Sequence, residues 1–324
     1  MTELEFRQRW IDEEPMYEAL GRFVVSTVCE ALNKCHDLSM FLKIPAIPRT
    51  KNMASLVEKA FYRNKNYPNP YEDITDKVGV RFVVLIQEEI KEIERIIEDC
   101  PLWAASKDKD YLEEQRKHPK IFDYESVHYV VRLNSAQIFQ EVHIPEGIAC
   151  EIQIRSLLQH ACSELTHDAI YKAKTQACAG AERACSRAIA LSEATDECFM
   201  KTFEELEKAA VPSRKALQRL RALYLDKTGR DSESSRVSDL IVNSLLPHVD
   251  DDDWKKIAEI VDAQPHWISR VNERFLYSQL HQEPTIFLIY YFLHRKKHTL
   301  VENWPLTRRE LEPLAADIGE VLPG

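Results

Sequence analysis

Between Arg49 and Lys59 the sequence RTKNMASLVEK sets a guanidinium, two ammonium groups and a hydroxyl (Arg49, Lys51, Lys59 and Ser55) within about three turns of a predicted helix. Guanidinium forks and ammonium point charges are the donors that hold phosphate oxygens, so this run suits a polyphosphate. Two acids stand further along. Asp76 precedes VGVRF, where Gly79 permits close backbone approach and Arg81 shares its face of the strand. Glu151 sits in ACEIQIR, where alternation sends Cys150, Ile152 and Ile154 one way and Glu151, Gln153 and Arg155 the other. If the two strands are neighbours, both carboxylates face one cleft. Their repulsion there is relieved by a divalent cation such as Mg²⁺, which prefers oxygen ligands and tends to bring a phosphate with it. A further row, Tyr124, Ser126 and His128, occupies alternate positions at the mouth of the strand in IFDYESVHYVVRL. Taken singly, each feature has an ordinary explanation as a solvated helix face, a cap or surface charge, or a solvated sheet face.

The elements that must position these residues are legible in outline. Residues 1 to about 44 repeat apolar side chains at helical spacing (Phe6, Trp10, Tyr17, Leu20, Val24, Val28), then IPAIPRT breaks the pattern with two prolines. A basic helix resumes at KNMASLVEKAFYRNK, in a stretch where five Lys/Arg from Arg49 to Lys65 face the single acid Glu58. VGVRFVVLI reads as a strand and EEIKEIERIIEDC as a helix; SKDKDYLEEQRKHP reads as an exposed loop or short helix. VHYVVRL and ACEIQI are two more strands with a turn near Pro145 and Gly147, and a helix starts at Ser156 and runs toward Lys172. The expected fold class is therefore α/β, a mixed sheet flanked by helices, with a C-terminal all-α domain. The expected domains are an N-terminal helical segment 1–44, a sheet domain 45–211 and a helical domain 212–324, the last from PSRKALQRLRALYL onward. In it the aromatic run FLIYYFLHRKKH reads as core.

Composition sets the limits. A chain of 324 residues with 44% hydrophobic residues can build one large or two ordinary cores. The net charge of −10 argues against non-specific coating of duplex nucleic acid. No apolar run is long enough to span a bilayer, and the acidic start lacks signal-peptide order, so the expected location is the cytoplasm. The eight cysteines show no CxxC and no spacing with histidines that suits a metal, and reduced thiols are expected.

In combination, PRTKNMASLVEK, DKVGVRFVV, DYESVHYVV and CEIQIRSLLQHACSELTHDAIYK, in that order, resemble the synthetase domain of the RelA/SpoT nucleotide pyrophosphokinases over roughly residues 44–175. The resemblance implies a nucleotidyltransferase-like fold and a role for each matching residue. Arg49, Lys51, Ser55 and Lys59 match the R-x-K-x3-S-x3-K run that holds ATP phosphates, and Arg81 matches an arginine beside the adenine nucleotide. Asp76 matches the Mg²⁺-binding aspartate of D-x-x-G-x-R. Glu151 matches a second metal ligand or the base that activates the acceptor hydroxyl, with Gln153 and Arg155 completing its motif on the acceptor side. Tyr124 matches the tyrosine that stacks on the acceptor guanine, while His128 and Lys120 match residues at the acceptor phosphates.

The implied reaction moves the β,γ-pyrophosphoryl group of ATP to the 3′-hydroxyl of GDP or GTP, forming (p)ppGpp and AMP. Phe122 and Asp123 stand where the family usually has asparagine and glycine. That departure removes an easy positive φ, adds a carboxylate beside the tyrosine, and leaves other acceptors open: the tRNA 3′ CCA end or an adenine nucleotide, as in toxin-type members. A non-catalytic nucleotide-binding regulator is the alternative from another class. The adjacent His36 and Asp37 imitate a hydrolase motif, but too few residues precede the synthetase block for that domain. A homo-oligomer or a regulatory partner bound through the C-terminal helices is a further expectation of the resemblance.

Overall fold

The computed structural model describes residues 1–63, 67–117, 126–166, 178–232 and 235–323. These form two compact units, Met1–Phe203 and Glu204–Gly324.

The first unit opens with α1 (Glu3–Leu32), started by a capping box in which Thr2 and Glu5 satisfy each other's backbone N–H. Its stripe of Phe6, Trp10, Tyr17, Leu20, Val24, Val28 and Leu32 is buried, so residues 1–44 share the core of the sheet that follows. α2 (Leu38–Phe41) is a single turn capped by Asp37, whose carboxylate accepts from Ser39 N, and His36 Nε2 lies 2.7 Å from Glu92. Both halves of the imitation hydrolase motif are thus occupied structurally.

The sheet has strand order β1-β2-β7-β4-β3. β1 is Arg49–Thr50, β2 Val78–Val84, β3 Trp103–Lys109, β4 Val127–Leu133 and β7 Ala149–Ser156; β2 and β7 are parallel and the other pairs antiparallel. Between β1 and β2 lie α3 (Met53–Val57), a π-helical turn over Glu58–Tyr62, and α4 (Pro70–Asp73). α5 (Gln87–Glu98) follows β2 and α6 (Tyr111–Lys117) follows β3. A hairpin of β5 (Gln137–Phe139) and β6 (Val142–Ile144) separates β4 from β7. The stretch SKDKDYLEEQRKHP, expected as loop or short helix, instead begins as the end of β3 and continues as α6. β3 is an edge strand whose residues after Trp103 are mostly exposed, so it carries no apolar alternation to betray it.

The pleat gives the sheet two unlike faces. Val80, Phe82, Ile152, Ile154, Tyr129 and Val131 are buried in one core with α1 and α5. The opposite face carries Arg49, Gly79, Arg81, Glu151, Gln153 and His128, because β1, β2, β7 and β4 pair Arg49 with Gly79, Gly79 with Glu151, Arg81 with Gln153 and Gln153 with His128. Gly21 on α1 is required by close approach: a Cβ there would stand 2.5 Å from Pro48 Cβ and 2.8 Å from Val78 Cγ2. After β7 come α7 (Leu157–Thr166) and then α8 (Ala179–Thr228), a helix that includes Pro212 and within which the first unit ends at Phe203.

The second unit is all-helical. α8 stops at Gly229, whose φ of 68° is the left-handed C-terminal conformation. It is followed by α9 (Arg236–Leu245), α10 (Asp251–Ala263), α11 (Pro265–Arg274), α12 (Gln279–Gln282), α13 (Ile286–Arg295), α14 (Lys297–Glu302) and α15 (Leu311–Asp317). Every residue of α13 from Ile286 to Leu293 is buried, so the aromatic run is this unit's core helix.

Candidate active site

The polar sheet face floors a cavity of about 710 Å³. Its lining brings together Arg49, Lys51, Ser55, Asp76, Arg81, Glu151 and Gln153, seven of the residues singled out in the sequence. Lys59, His128 and Arg155 stand one contact behind it, touching Asp76, Glu151 and Gln153 respectively. Lys120 and Tyr124, with Phe122 and Asp123, lie outside the described residues, as do Lys65, His167, Asp168 and Lys172.

Local structure explains how the cations reach the carboxylate. The antiparallel pairing of β1 on β2 brings Lys51, just past the edge strand, beside the start of β2, where its backbone N–H donates to Lys77 O at 2.8 Å. Asn52 then caps α3 by accepting from Ala54 N and Ser55 N, which turns the chain so that Lys59 in the following π-turn points back to the same place. The ammonium groups of Lys51 and Lys59 both bond to Asp76 Oδ2, Lys59 at 2.9 Å. Burial pushes the Asp76 carboxyl up, but the two ammoniums outweigh it and hold it below the usual carboxylate range. Asp76 Oδ1 is buried with no hydrogen-bond partner.

Glu151 is gripped from two strands. Its Oε1 lies 3.3 Å from His128 Nδ1 on β4, and its Oε2 accepts from Gln153 Nε2 at 3.1 Å. Burial, with the Asp76 charge added, pushes its carboxyl up; the His128 and Gln153 contacts prevail and leave it below the usual range. Gln153 Oε1 in turn accepts from Arg155 Nη2 at 2.8 Å. Arg155 is 7% exposed, with Nε and Nη1 unpartnered, and burial beside the positive Arg81 lowers its pKa to about 10. Arg81 is steered by α7, bonding Glu164 Oε1 at 2.9 Å and His160 Nδ1 at 3.3 Å, while its own Nε is buried without a partner.

The donor set fits a divalent cation carried in by a substrate. Among the described residues no three His, Cys, Asp or Glu side chains gather at one point. Two carboxylates on one cavity, one with an unpartnered buried oxygen, are what Mg²⁺ uses when water and phosphate oxygens complete its shell.

Sequence reasoning missed part of the lining. Ile44, Pro45 and Ile47 form an apolar wall, and Arg63 and His160 add polar groups. The two prolines around Ile47 marked a break rather than a surface, and His160 carried no signal until β2 and β7 were paired. Arg63 was visible as part of the basic run, where its bond to Glu58 at 3.0 Å keeps it near the cavity mouth.

Residues 48–176 match the family described as "Region found in RelA / SpoT proteins". No curated protein matches the chain. Among solved structures, the fold is shared with the small alarmone synthetase 1 from Bacillus subtilis at 20% identity and TM-score 0.51, over 62% of this chain and 99% of that one. A structure of that synthetase bound to its product pppGpp matches with the same values. A GTP pyrophosphokinase family protein from Streptococcus pneumoniae matches at 21% identity and TM-score 0.50, over 64% of this chain and 97% of that one.

Proposed function

From the premise that this chain carries a RelA/SpoT region, we propose that it is an ATP-dependent pyrophosphokinase whose acceptor is GDP or GTP and whose product is (p)ppGpp. The observation that carries the reading is that Asp76 and Glu151 line one cavity with Arg49, Lys51, Ser55 and Arg81. The relative bound to pppGpp supports a guanine acceptor.

In this reaction the 3′-oxygen of the acceptor attacks the β-phosphorus of ATP while its proton passes to a base. The bond between the β-phosphorus and the α,β-bridging oxygen breaks, and AMP leaves with that electron pair. Glu151 is the base: both its oxygens are oriented by donors, and its lowered pKa keeps it ionised at neutral pH. Arg49, Lys51, Ser55 and Lys59 hold the ATP phosphates, so Lys51 and Lys59 exchange Asp76 for phosphate oxygens when the nucleotide enters. Arg81, fixed by Glu164, lies beside the adenine nucleotide. Asp76, whose Oδ1 is unpartnered, and Glu151 would hold Mg²⁺, which would neutralise phosphate charge. Lys120 and Tyr124 take the acceptor's phosphates and base, with stacking worth about 1–3 kcal/mol.

The test offers GDP, GTP, ATP and deacylated tRNA in separate tubes with Mg²⁺ and γ-labelled ATP. Label in a guanine nucleotide is expected. Label on tRNA or an adenine nucleotide would make Phe122 and Asp123 determinants of acceptor choice, and no transfer to any of the four would overturn the enzymatic reading in favour of a regulator. No helix among the described residues is long and apolar enough to cross a membrane, and the proposed site of action is the cytoplasm.

A further inference from the structure

The cavity has a charged end and an apolar end along β2. Lys51 and Lys59 gather on Asp76 where the strand begins, and Lys51 N donates to Lys77 O at 2.8 Å. Val83 lines the cavity four residues beyond Gly79 on the same face, about 13 Å further along at a rise of about 3.3 Å per residue. There the chain that precedes β1 closes against the strand: Lys43 N donates to Val83 O at 2.8 Å, and Ile44 bridges Val83. Arg49 pairs with Gly79, so Ile47 lies between these two attachments, level with Arg81. Side chains alternate through this segment. Ala46 packs on the core and Pro48 meets Gly21, whereas Pro45, Ile47 and Arg49 turn the other way and line the cavity. Ile47 is 71% exposed, so the fold itself gains little from its hydrocarbon.

We propose that Ile47, with Ile44 and Pro45 beside it, is a shelf for the base of the donor nucleotide and sets donor affinity by apolar contact with that base. The inference rests on the reading of this cavity as the site of pyrophosphoryl transfer from ATP. Strand order puts the shelf on the donor side: the residues assigned to ATP belong to β1, β2 and the turns between them, and the strands β7 and β4 lie beyond β2. Its place along β2 gives it the base. The phosphate-binding cations stand at the opposite end, and hydrocarbon side chains offer a polyphosphate neither a donor nor a charge. A planar purine is weakly hydrated on its faces, and laying it on Ile47 takes apolar surface of both partners out of water. Such a shelf senses the size and shape of the base and does not read its hydrogen-bonding edge.

The test uses the full chain with Mg²⁺ and two probes. One is α,β-methylene-ATP, whose α,β bridge cannot break, and the other is inorganic tripolyphosphate, which carries the phosphate chain without a base. Calorimetric titration gives Kd for each in the unaltered protein and in Ile47→Ala, Ile47→Leu and Ile47→Asp. Ile47→Ala is expected to raise Kd for the ATP analogue about 10-fold, and Ile47→Asp to raise it further. Ile47→Leu, which keeps the hydrocarbon, should stay within about twofold. Tripolyphosphate should bind Ile47→Ala and Ile47→Leu within about twofold of the unaltered protein, because it never reaches the shelf. An unchanged Kd for the analogue in Ile47→Ala would overturn the proposal. An equal loss for both probes, with the melting transition retained, would also overturn it and assign Ile47 to the phosphate site. So would a rise in acceptor KM while the analogue's Kd stays the same, which would turn the wall toward the acceptor. Failure of the unaltered protein to bind the analogue would remove the donor site altogether. Binding of the analogue with the expected Ile47 effects, but no transfer in the four-tube assay, would overturn the pyrophosphokinase reading alone and support the shelf.

Discussion

The two units treat their buried polar groups differently. On the sheet face of the first, Asp76 Oδ1, Arg81 Nε and two nitrogens of Arg155 are buried without partners. In the second unit most buried charges are drawn into local networks, while Asp317 Oδ1, Ser232 Oγ and Thr285 Oγ1 lack a hydrogen-bond partner. His281 bonds Ser278 at 2.8 Å and Asp317 at 2.9 Å; Arg274 reaches the other oxygen of Asp317 at 2.8 Å, and Tyr290 donates to Asp317. Glu283 accepts from Ser235 and Ser238, and Asp253 from Tyr291 and Lys296. An unmet buried donor or acceptor costs about 1–3 kcal/mol, and the difference is that the first unit gathers four such atoms around one polar sheet face, where a ligand could meet them, while the second scatters its own.

The largest expected effect comes from the open groups. Asp76→Asn or Glu151→Gln should lower pyrophosphoryl transfer by at least about 100-fold with the melting transition retained, read by product formation and thermal unfolding on the same samples. Near-normal turnover in either folded variant would erase the contrast between the units.

Lys77 sharpens the comparison next, as a buried charge beside the site that is not part of it. It is 4% exposed, donates to Ile74 O, and lies 4.8 Å from the Tyr71 ring and 5.2 Å from the Tyr17 ring. Burial lowers its pKa to about 8 from an ordinary 10.5. The unfolded chain therefore holds the proton more tightly between those two values, and stability rises with pH across that window and falls again as pH drops toward 8. Lys77→Met should abolish this rise, which is of order 3 kcal/mol, in denaturant titrations at pH 7 to 10.5. An identical pH profile in both proteins would contradict the burial argument.

A closed network should respond in stability alone. His281→Phe leaves Asp317 short of one partner at a site where both residues are 1% exposed, and should cost about 1–3 kcal/mol in unfolding free energy with transfer per folded molecule unchanged. A fall in turnover of the folded variant would tie the helical unit to the chemistry. The smallest change is Gly21→Ala. Contact with Pro48 and Val78 costs about 1–3 kcal/mol and is partly offset by about 1 kcal/mol of helix propensity, so a lowering of Tm by a few degrees is expected.

Much of this contrast was legible in the sequence because alternation is a strong signal where one sheet face is apolar and the other charged. β2, β4, β7 and α5 followed from it, and so did the shared face of Glu151, Gln153 and Arg155. β1 is too short to have a period, and β3 is polar beyond Trp103. The β5–β6 hairpin turns through Gln140 and Glu141, both at positive φ, which carry none of the Asn-Gly signal that such turns usually show. The change of sequence character near residue 212 falls inside α8, which continues through Pro212. In the site, the carboxylates and basic run were readable because each is local. The pairing of Lys51 and Lys59 on one oxygen, the wall of Ile44, Pro45 and Ile47, and the grip of His128 on Glu151 depend on strand order, which no local pattern encodes.

Transfer of an intact diphosphate is checked by parallel reactions with α-, β- and γ-labelled ATP. β and γ label are expected to enter the guanine nucleotide product together while α label appears in an equal amount of AMP. Transfer of γ label alone with ADP left behind, or release of diphosphate with no labelled acceptor, would contradict it.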